Sequence, residues 1–448
     1  MKTGSFLSHC VIAAIAIAGT SLAAAQTQKD VHRDAATRNT LGDPFMTQYA
    51  RAFYCNLPDD NNGIVIQSRS WNNTTGANNN QYRIPMTQIF DDVWTVGNHY
   101  VTQYMIKMPD GIVQVDSGNS ATEFSTFNYP ALQALGLSAA YPLKAIFLTH
   151  GHGDHDGGAQ WALDNLGARS YLGSADNTLG AAGGKSYKPT FIDSTNLSMR
   201  TMSIGGKTFW ILPTPGHTPG STSAVLEATD HGKTVRVLIN GGQSMTNSIP
   251  EVAQYLDSIE RVYAMASALN VDGVMTPHIY WDGEGFYDDQ IGATGRTNPS
   301  QNVYGHETVM RMTAVARECS AAWLTALDTT KVLPVWRVNR VELMPASPSP
   351  NLLVKVSAKV YSGWGPVVNQ PVAFSIDGQA CTAVTNASGV ATCGKPLTGV
   401  GTAPKVISAS YAGAESNDFI DLPSDATQTI TCANQVPRSP GGTPGTCN

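Results

Sequence analysis

The hydrophobic pattern of the 448-residue chain changes near Pro334, and this change limits how the chain can fold. Before it, apolar runs of strand length alternate with stretches such as 252–266, in which apolar residues recur every three or four positions. After it, apolar and polar residues alternate at 354–360, 372–376 and 407–411. The first pattern is typical of a layered α/β domain, and the second of a small β-sandwich. We therefore expect an α/β domain over 85–333, a Pro/Ser linker over 334–350 and an all-β domain over 351–432.

The N-terminus carries the only long apolar run of the sequence. Lys2 precedes the apolar residues 11–18, and the small residues Ala23 and Ala25 follow. This order predicts a secretory signal peptide over residues 1–25, cut after Ala25. An uncleaved anchor is the alternative, although the run is shorter than the ~20 residues that span a bilayer. We expect an exported protein, periplasmic or extracellular, with no membrane span after cleavage. Residues 26–84 should form an N-terminal extension of loops, and 433–448 an irregular tail.

The charge balance excludes one class of partner. Lys and Arg number 28 against 34 Asp and Glu, which gives a net charge of −6. A chain without a basic stripe cannot neutralise a phosphate backbone, so nucleic-acid binding is disfavoured. The expected partner is a small-molecule substrate.

The cysteines predict disulfides. Removal of the signal leaves six, and an even number in an exported protein favours pairing. Two of them flank a turn at 386–389, which favours a bridge between neighbouring strands. The expected pairs are Cys381 with Cys393, Cys432 with Cys447 and, by elimination, Cys55 with Cys319.

A cluster of potential metal ligands follows the predicted strand 144–148. The motif His150-Gly151-His152-Gly153-Asp154-His155 places four ligands in six residues on a turn that glycine makes tight. His217, within 215–220, and His278 also follow predicted strands, where functional residues of α/β folds gather. Imidazole and carboxylate together suit zinc. The alternative is a chance grouping of loop histidines. The metal site is favoured, because His and Asp residues at this spacing have few other structural explanations.

These motifs resemble the metallo-β-lactamase superfamily over approximately residues 85–330. The resemblance implies an αββα sandwich with a two-metal site at one edge. It implies that two Zn²⁺ ions are bound, the first by His150, His152 and His217, and the second by Asp154, His155 and His278. Asp116, after a predicted strand, matches the aspartate that braces the metal loop in this family. An ordinary turn-initiating aspartate is the alternative at that position.

The segment 240–244 indicates a branch of the superfamily. Many family hydrolases have a metal-bridging Asp there, and other lactamase subclasses have Cys, but this chain has neither. Their absence resembles the third lactamase subclass, whose second zinc uses one Asp and two His. Gly242 stands where that subclass commonly has Ser, so Ser244 is the candidate for binding a substrate carboxylate, with a plain loop hydroxyl as the alternative. Tyr280 and Trp281 could line an apolar substrate cleft or pack in the core.

The resemblance implies a reaction. Zinc-bound hydroxide, oriented by the catalytic residue Asp154, would attack the cyclic amide carbonyl of a β-lactam. Hydrolysis of a lactone, an ester or another amide is the alternative, and a binding or adhesion protein with a vestigial hydrolase domain is a third interpretation. The segments 371–375 and 385–393 resemble bacterial immunoglobulin-like modules. Such a domain leaves open a contact with a surface or a polymer.

Overall fold

The computed structural model describes residues 27–43, 55, 83–98, 101–278, 284–344, 347–348, 353–396 and 404–430. The predicted signal peptide, the Cys432–Cys447 pair, Tyr280 and Trp281 lie outside these residues. Within them, no helix combines the length and the apolar character needed to cross a membrane. The helices are α1 (Gln28–Asn39), α2 (Ala121–Glu123), α3 (Tyr129–Ala134), α4 (Gly153–Asp156), α5 (Ala159–Leu166), α6 (Ile249–Ala268), α7 (Glu284–Thr294) and α8 (His306–Leu327).

The first domain contains two sheets in the described part of the chain. One has the strand order β1-β2-β3-β4-β5-β6-β7, and the other β12-β11-β10-β9-β8. These strands are β1 (Arg83–Phe90), β2 (Val93–Asn98), β3 (Thr102–Met108), β4 (Gly111–Val115), β5 (Leu143–Phe147), β6 (Arg169–Gly173), β7 (Thr190–Ile192), β8 (Arg200–Ile204), β9 (Lys207–Pro213), β10 (Thr222–Asp230), β11 (Lys233–Ile239) and β12 (Gly273–Met275).

Three apolar layers hold this domain together. Side chains from both sheets, Phe147 and Phe209 among them, meet in a central core. A second core lies between the first sheet and two helical stretches, residues 121–134, which include Phe124, and α5, which includes Ala159. A third joins the second sheet to α6 and α8, for example through Val262 and Val309. Helices therefore cover the outer face of each sheet, and the predicted αββα sandwich is confirmed.

Strand direction brings the connecting loops to one edge of the sandwich. Strands β4, β5 and β6 are parallel neighbours, so their carboxyl ends share an edge. In the second sheet β9 runs in the same direction as β11, because each is antiparallel to β10, and β12 is parallel to β11. The amide of Thr222 donates to the carbonyl of Thr149 at 2.9 Å, which joins the two sheets at this edge. Every predicted metal ligand follows one of these strand ends.

The C-terminal domain is a pair of packed sheets, as predicted. Strands β14 to β17 and β20 form one sheet, and β19-β18-β21-β24 the other, with Val356, Phe374 and Ile407 in the core between them. The domain and its approach contain β13 (Val335–Arg337), β14 (Asn339–Leu343), β15 (Ser347–Pro348), β16 (Leu353–Ser362), β17 (Gly365–Pro366), β18 (Pro371–Ile376), β19 (Gln379–Val384), β20 (Val390–Pro396), β21 (Lys405–Tyr411), β22 (Ala414–Glu415), β23 (Phe419–Asp421) and β24 (Ser424–Ile430).

Two predicted disulfides are present among the described residues. Cys55 is bonded to Cys319 of α8, and Cys381 to Cys393. The second bond differs from the expectation of a bridge between paired strands. Strand β19 pairs with β18, whereas β20 pairs with β16, so this bond joins the two sheets of the sandwich.

The structure differs from the sequence prediction at both connecting segments. The extension 26–84 contains a helix, α1, and is not loop throughout. The predicted linker 334–350 contains β13 and β14, and β14 pairs with β16 over five residues from Asn339 to Leu343. Pro334 and the prolines at 345–350 suggested an extended linker, but the alternating residues between them complete the edge of a sheet.

Helix α1 lies at the junction of the two domains. Its His32 contacts Glu318 of α8, with 2.7 Å between Nδ1 and Oε2. Its Asn39 donates to the carbonyl of Trp336 at 2.9 Å and accepts from the amide of Val338 at 2.8 Å. The helix therefore holds both the first domain and the strands that lead into the second.

Candidate metal centre

The loop after β5 is shaped by its neighbours as well as by its glycines. His152 adopts an extended conformation and begins the short helix α4, which carries Asp154 and His155. A Cβ atom at Gly151 would lie 2.9 Å from the Cβ of Asp176. A side chain at position 151 would therefore push the loop away from the rest of the site.

Three imidazoles from two loops converge as predicted for the first metal. The Nε2 atom of His217 lies 3.1 Å from Nε2 of His150 and 3.1 Å from Nδ1 of His152. Nitrogens bound at ~2.0–2.1 Å around a tetrahedral zinc are roughly 3.3 Å apart, so this arrangement fits the ion. Burial lowers the pKa of His217 to about 4, helped by the charge of His152, and burial also holds the pKa of His150 well below its usual range. At neutral pH these imidazoles are uncharged and present lone pairs.

The second predicted set lies next to the first. Oδ2 of Asp154 is 3.5 Å from Nε2 of His155 and 4.0 Å from Nε2 of His278. Ligand atoms of His150, Asp154 and His155 all lie within 4.8 Å of one another, so the two sets adjoin. Nε2 of His155 is buried and has no hydrogen-bond partner among the described residues. A buried acceptor without a donor is what a metal ligand looks like before the ion is present.

The charges of the second set differ from those of the first. Burial raises the pKa of Asp154, but the imidazoles of His155 and His278 lower it further than burial raises it. Burial lowers the pKa of His155, whereas the carboxylates of Asp154 and Asp116 raise it, and the net shift is upward. A cation at this place would replace a proton, because the site already attracts positive charge.

Asp116, which the resemblance implies as a brace of the metal loop, contacts that loop. It is fully buried and has a positive φ of 55°, which aspartate tolerates better than most residues. Its carboxylate accepts from the amide of Thr149 at 2.7 Å and from Nδ1 of His155 at 2.8 Å. The second contact assigns the proton of His155 to Nδ1 and leaves Nε2 free for a metal. The alternative of a plain turn aspartate does not explain these contacts.

Asp176 is a bracing residue that sequence analysis missed. Its carboxylate accepts from the amide of Gly151 at 2.8 Å, from the hydroxyl of Thr218 at 2.7 Å and from the amide of Gly220 at 2.7 Å. It therefore ties the His150 loop to the His217 loop. Asp176 lies in a short turn, Ser174–Asp176, directly after β6. Its position after the strand next to β5 is the signal that could have identified it.

Glu123 is a second missed residue near the centre. It is 1% exposed, and its carboxyl accepts from the side-chain amides of Asn98 at 3.2 Å and Asn119 at 2.7 Å. Burial raises the pKa of Glu123 to about 7, and the charge of Asp154 adds to the shift. The spacing of Ser120 and Glu123 matches a helix-capping pattern, which could have placed the residue on a helix start but not beside the metal site.

The loop after β11 contacts His217. Nδ1 of His217 donates to the carbonyl of Ser244 at 2.8 Å and lies 3.0 Å from its hydroxyl. A Cβ atom at Gly242 would lie 2.7 Å from the Cβ of His217, so a serine would not fit at position 242 without displacement. The structure thus places Ser244 against His217, a predicted metal ligand, and contact of Ser244 with a substrate stays a prediction.

A two-sheet sandwich with a His and Asp cluster at one edge defines a class of metal-dependent hydrolases. Residues 96–232, less than a third of the chain, match the model of the metallo-beta-lactamase superfamily. This match and the grouped His and Asp side chains together support a metal-dependent hydrolase.

Solved structures of similar proteins cover just over half of the chain. One is the metallo-beta-lactamase SMB-1 bound to 2-mercaptoethanesulfonate, with 20% identity, 54% of this chain and 94% of that chain covered, and a TM-score of 0.41. Another is BJP-1, a subclass B3 metallo-beta-lactamase of Bradyrhizobium japonicum, with 21% identity, 55% of this chain and 95% of that chain covered, and a TM-score of 0.42. A third is a metallo-beta-lactamase of Cronobacter sakazakii, with 23% identity, 58% of this chain and 98% of that chain covered, and a TM-score of 0.44.

Proposed function

We propose that the protein is a dizinc hydrolase that opens the cyclic amide of a β-lactam. The observation that carries this proposal is the pair of adjoining ligand sets, His150 with His152 and His217, and Asp154 with His155 and His278. The segment 240–244 offers no carboxylate or thiol, so the second set depends on His278. This is the ligand pattern that the resemblance to the third lactamase subclass implies.

The chemistry follows from the ligands and their supports. His150, His152 and His217 would hold one zinc ion and Asp154, His155 and His278 the other, and the bound ions would supply hydroxide at neutral pH and polarise the carbonyl that is attacked. Asp154, whose side chain is 23% exposed, accepts a hydrogen bond from the attacking oxygen and orients it. Asp116 keeps the proton of His155 on Nδ1, so that Nε2 binds metal. Water is added across the ring amide: a C–O bond forms, the C–N bond breaks, and the proton goes to the departing nitrogen.

We also propose that the protein works outside the cytoplasm. The predicted signal peptide over 1–25 and the bonds Cys55–Cys319 and Cys381–Cys393 support this, because disulfides persist in oxidising compartments. The C-terminal domain, which is immunoglobulin-like in pattern, is proposed to contact a surface or a polymer. Cleavage after Ala25 is checked by N-terminal sequencing of the exported chain.

A second candidate function is hydrolysis of an uncharged lactone or ester. The observation that favours it is the crowding at Gly242, which leaves no room for the serine that commonly binds a substrate carboxylate in the third subclass. Ser244 is held against His217 and is not a ready replacement. A substrate without a carboxylate would not need these hydroxyls.

The deciding experiment combines metal analysis with a substrate panel. Purified protein should contain two zinc ions per chain and hydrolyse at least one penicillin, cephalosporin or carbapenem. Asp154→Asn should lose most of this activity, whereas Asp164→Asn, a change at an exposed residue of α5, should keep it. Two bound zinc ions with turnover of lactones or esters alone would reject the β-lactam substrate and favour the second candidate. A protein that binds no zinc would reject both.

A further inference from the structure

Gln243 lies between the two ligand sets without belonging to either. Its side chain is buried, and its Oε1 accepts a hydrogen bond from the backbone amide of His278 at 3.1 Å. Of the residues on both sides of it, Ser244 contacts His217, and Gly242 lies so close that a Cβ atom there would be 2.7 Å from the Cβ of His217. One three-residue segment therefore touches a ligand of the first set and the backbone of a ligand of the second.

The sheet explains why this segment can reach both ligands. Strands β11 and β12 are parallel neighbours, with Ile239 opposite Met275, so the chain leaves both strands at the same edge. From the other sheet, the amide of Thr102 donates to Pro277 and the hydroxyl of Tyr104 donates to Thr276, at 2.7 and 2.6 Å. These contacts hold the His278 segment from the first sheet, and Gln243 holds it from the His217 side.

The hydrogen bonds of Gln243 fix the orientation of its amide. A backbone N–H can only donate, so the atom facing His278 must be the oxygen. The other end, Nε2, is buried and has no hydrogen-bond partner in the described part of the chain. A buried donor without a partner is unfavourable, and leucine would fill similar space without it. The contact with His278 gives a reason for the amide at this position.

We propose that Gln243 is a positioning residue that sets His278 relative to His217, and through them the second metal relative to the first. In hydrolases with a bridging carboxylate after this strand, that carboxylate would connect the two metals directly. Here the residues that follow the strand contain no such group, and an amide-to-backbone contact links the protein ligands instead. The inference rests on the proposed dizinc site.

The test is a metal titration of three variants and the wild type. Gln243→Leu removes the acceptor, Gln243→Glu keeps a carboxylate oxygen that can accept from His278, and Ser244→Ala is a matched change next door. We expect Gln243→Leu to weaken the second Zn²⁺ about 10- to 100-fold with the first unchanged, as for other outer partners of metal ligands. Gln243→Glu should regain most of the second affinity. Ser244→Ala should bind the second metal like the wild type, because Ser244 contacts His217 and its alanine variant keeps Gln243 in place.

Equal weakening of both metals in Gln243→Leu, or no recovery in Gln243→Glu, would overturn the proposal. A wild-type protein that binds a single zinc would reject the dizinc function, and a second measurement then decides on Gln243. In the metal-free protein, exchange of the backbone amide hydrogen of His278 should be about tenfold faster in Gln243→Leu than in the wild type or Ser244→Ala. Unchanged exchange would show that Gln243 does not hold His278.

Discussion

Two buried histidine–carboxylate pairs occupy different regions of this molecule. His155 contacts Asp116 at 2.8 Å in the metal centre, and His32 contacts Glu318 at 2.7 Å where α1 meets α8. All four side chains are at most 1% exposed. In each pair the histidine uses Nδ1, and its buried Nε2 has no hydrogen-bond partner among the described residues. The local geometry alone does not separate a metal ligand from a structural contact.

The neighbours of each pair make the difference. Around His155 lie Asp154, His150 and His278, a carboxylate and two imidazoles that a cation would bring together. Glu318 instead accepts from the guanidinium of Arg317 at 2.7 Å and from the backbone amide of Trp336 at 2.9 Å. Its charge is compensated by protein groups. The first pair prepares a ligand for an ion, and the second holds helices and a strand together.

Removal of the carboxylate at the junction should give the largest effect on stability. In Glu318→Ala, His32, Arg317 and the amide of Trp336 lose a shared buried acceptor. Breaking a buried charge pair in this way costs about 3–5 kcal/mol. Urea unfolding should show this loss in the free energy of unfolding, while zinc binding stays at the wild-type level.

The matched control is Glu227→Ala, which removes an ion pair with Arg236 whose side chains are 46% and 39% exposed. Such surface pairs contribute about 0–1 kcal/mol, so this variant should unfold almost like the wild type. If Glu318→Ala were no less stable than Glu227→Ala, the junction pair would not be a structural contact. If Glu318→Ala also lost zinc, the contrast between the two pairs would fail.

Glu123 sharpens the comparison, because it is a buried carboxyl held by two asparagine amides and not by a cation. Burial raises its pKa from 4.5 to about 7, so the folded metal-free protein binds a proton that the unfolded chain has already released. Stability contributed by this proton is present below pH 4.5 and is lost as the pH rises to 7. A shift of this size corresponds to roughly 3 kcal/mol.

Unfolding of the metal-free protein between pH 4 and 8 measures this loss. Relative to the wild type, Glu123→Gln should gain about 3 kcal/mol of stability between pH 4.5 and 8, since glutamine does not ionise. Glu251→Gln, at an exposed position of α6, should show a constant difference from the wild type. A constant difference for Glu123→Gln as well would mean that Glu123 is already ionised in the fold.

Patterns that repeat along the chain were predicted well from the sequence. The strand before His150, helix α6 and the alternating strands of the C-terminal domain all lie where hydrophobic periodicity predicts them. The sequence also reveals most of the ligand set, because four of the six predicted ligands lie within the six consecutive residues from His150 to His155. Both signals are local, so one stretch of sequence contains them.

Features that depend on distant partners were missed. Helix α1 has few apolar residues, and its contacts with Glu318 and the strands after Pro334 cannot be read from residues 28–39 alone. Asp176 and Gln243 are single polar residues in loops, and their roles appear only when the carboxyl ends of the strands meet. The sequence does not indicate strand β14, because its partner, β16, follows only after the Pro/Ser segment.

Asp116→Asn, in the metal centre, should change the free energy of zinc binding. This change should be smaller than the change in the free energy of unfolding that we expect for Glu318→Ala at the junction. Asp116→Asn keeps a residue that tolerates the positive φ of 55° and can still accept from Thr149. Asparagine has only one side-chain oxygen, so it cannot accept from both Thr149 and His155 as the two oxygens of Asp116 do. His155 then loses the partner that keeps its proton on Nδ1. The loss of such a partner lowers metal affinity about 10- to 100-fold, which is ~1.4–2.7 kcal/mol.

Zinc titration should place this loss in the second metal, because His155 belongs to that set. Equal loss of both metals would mean that Asp116 shapes the whole loop through Thr149, and the two histidine–carboxylate pairs would then both be structural.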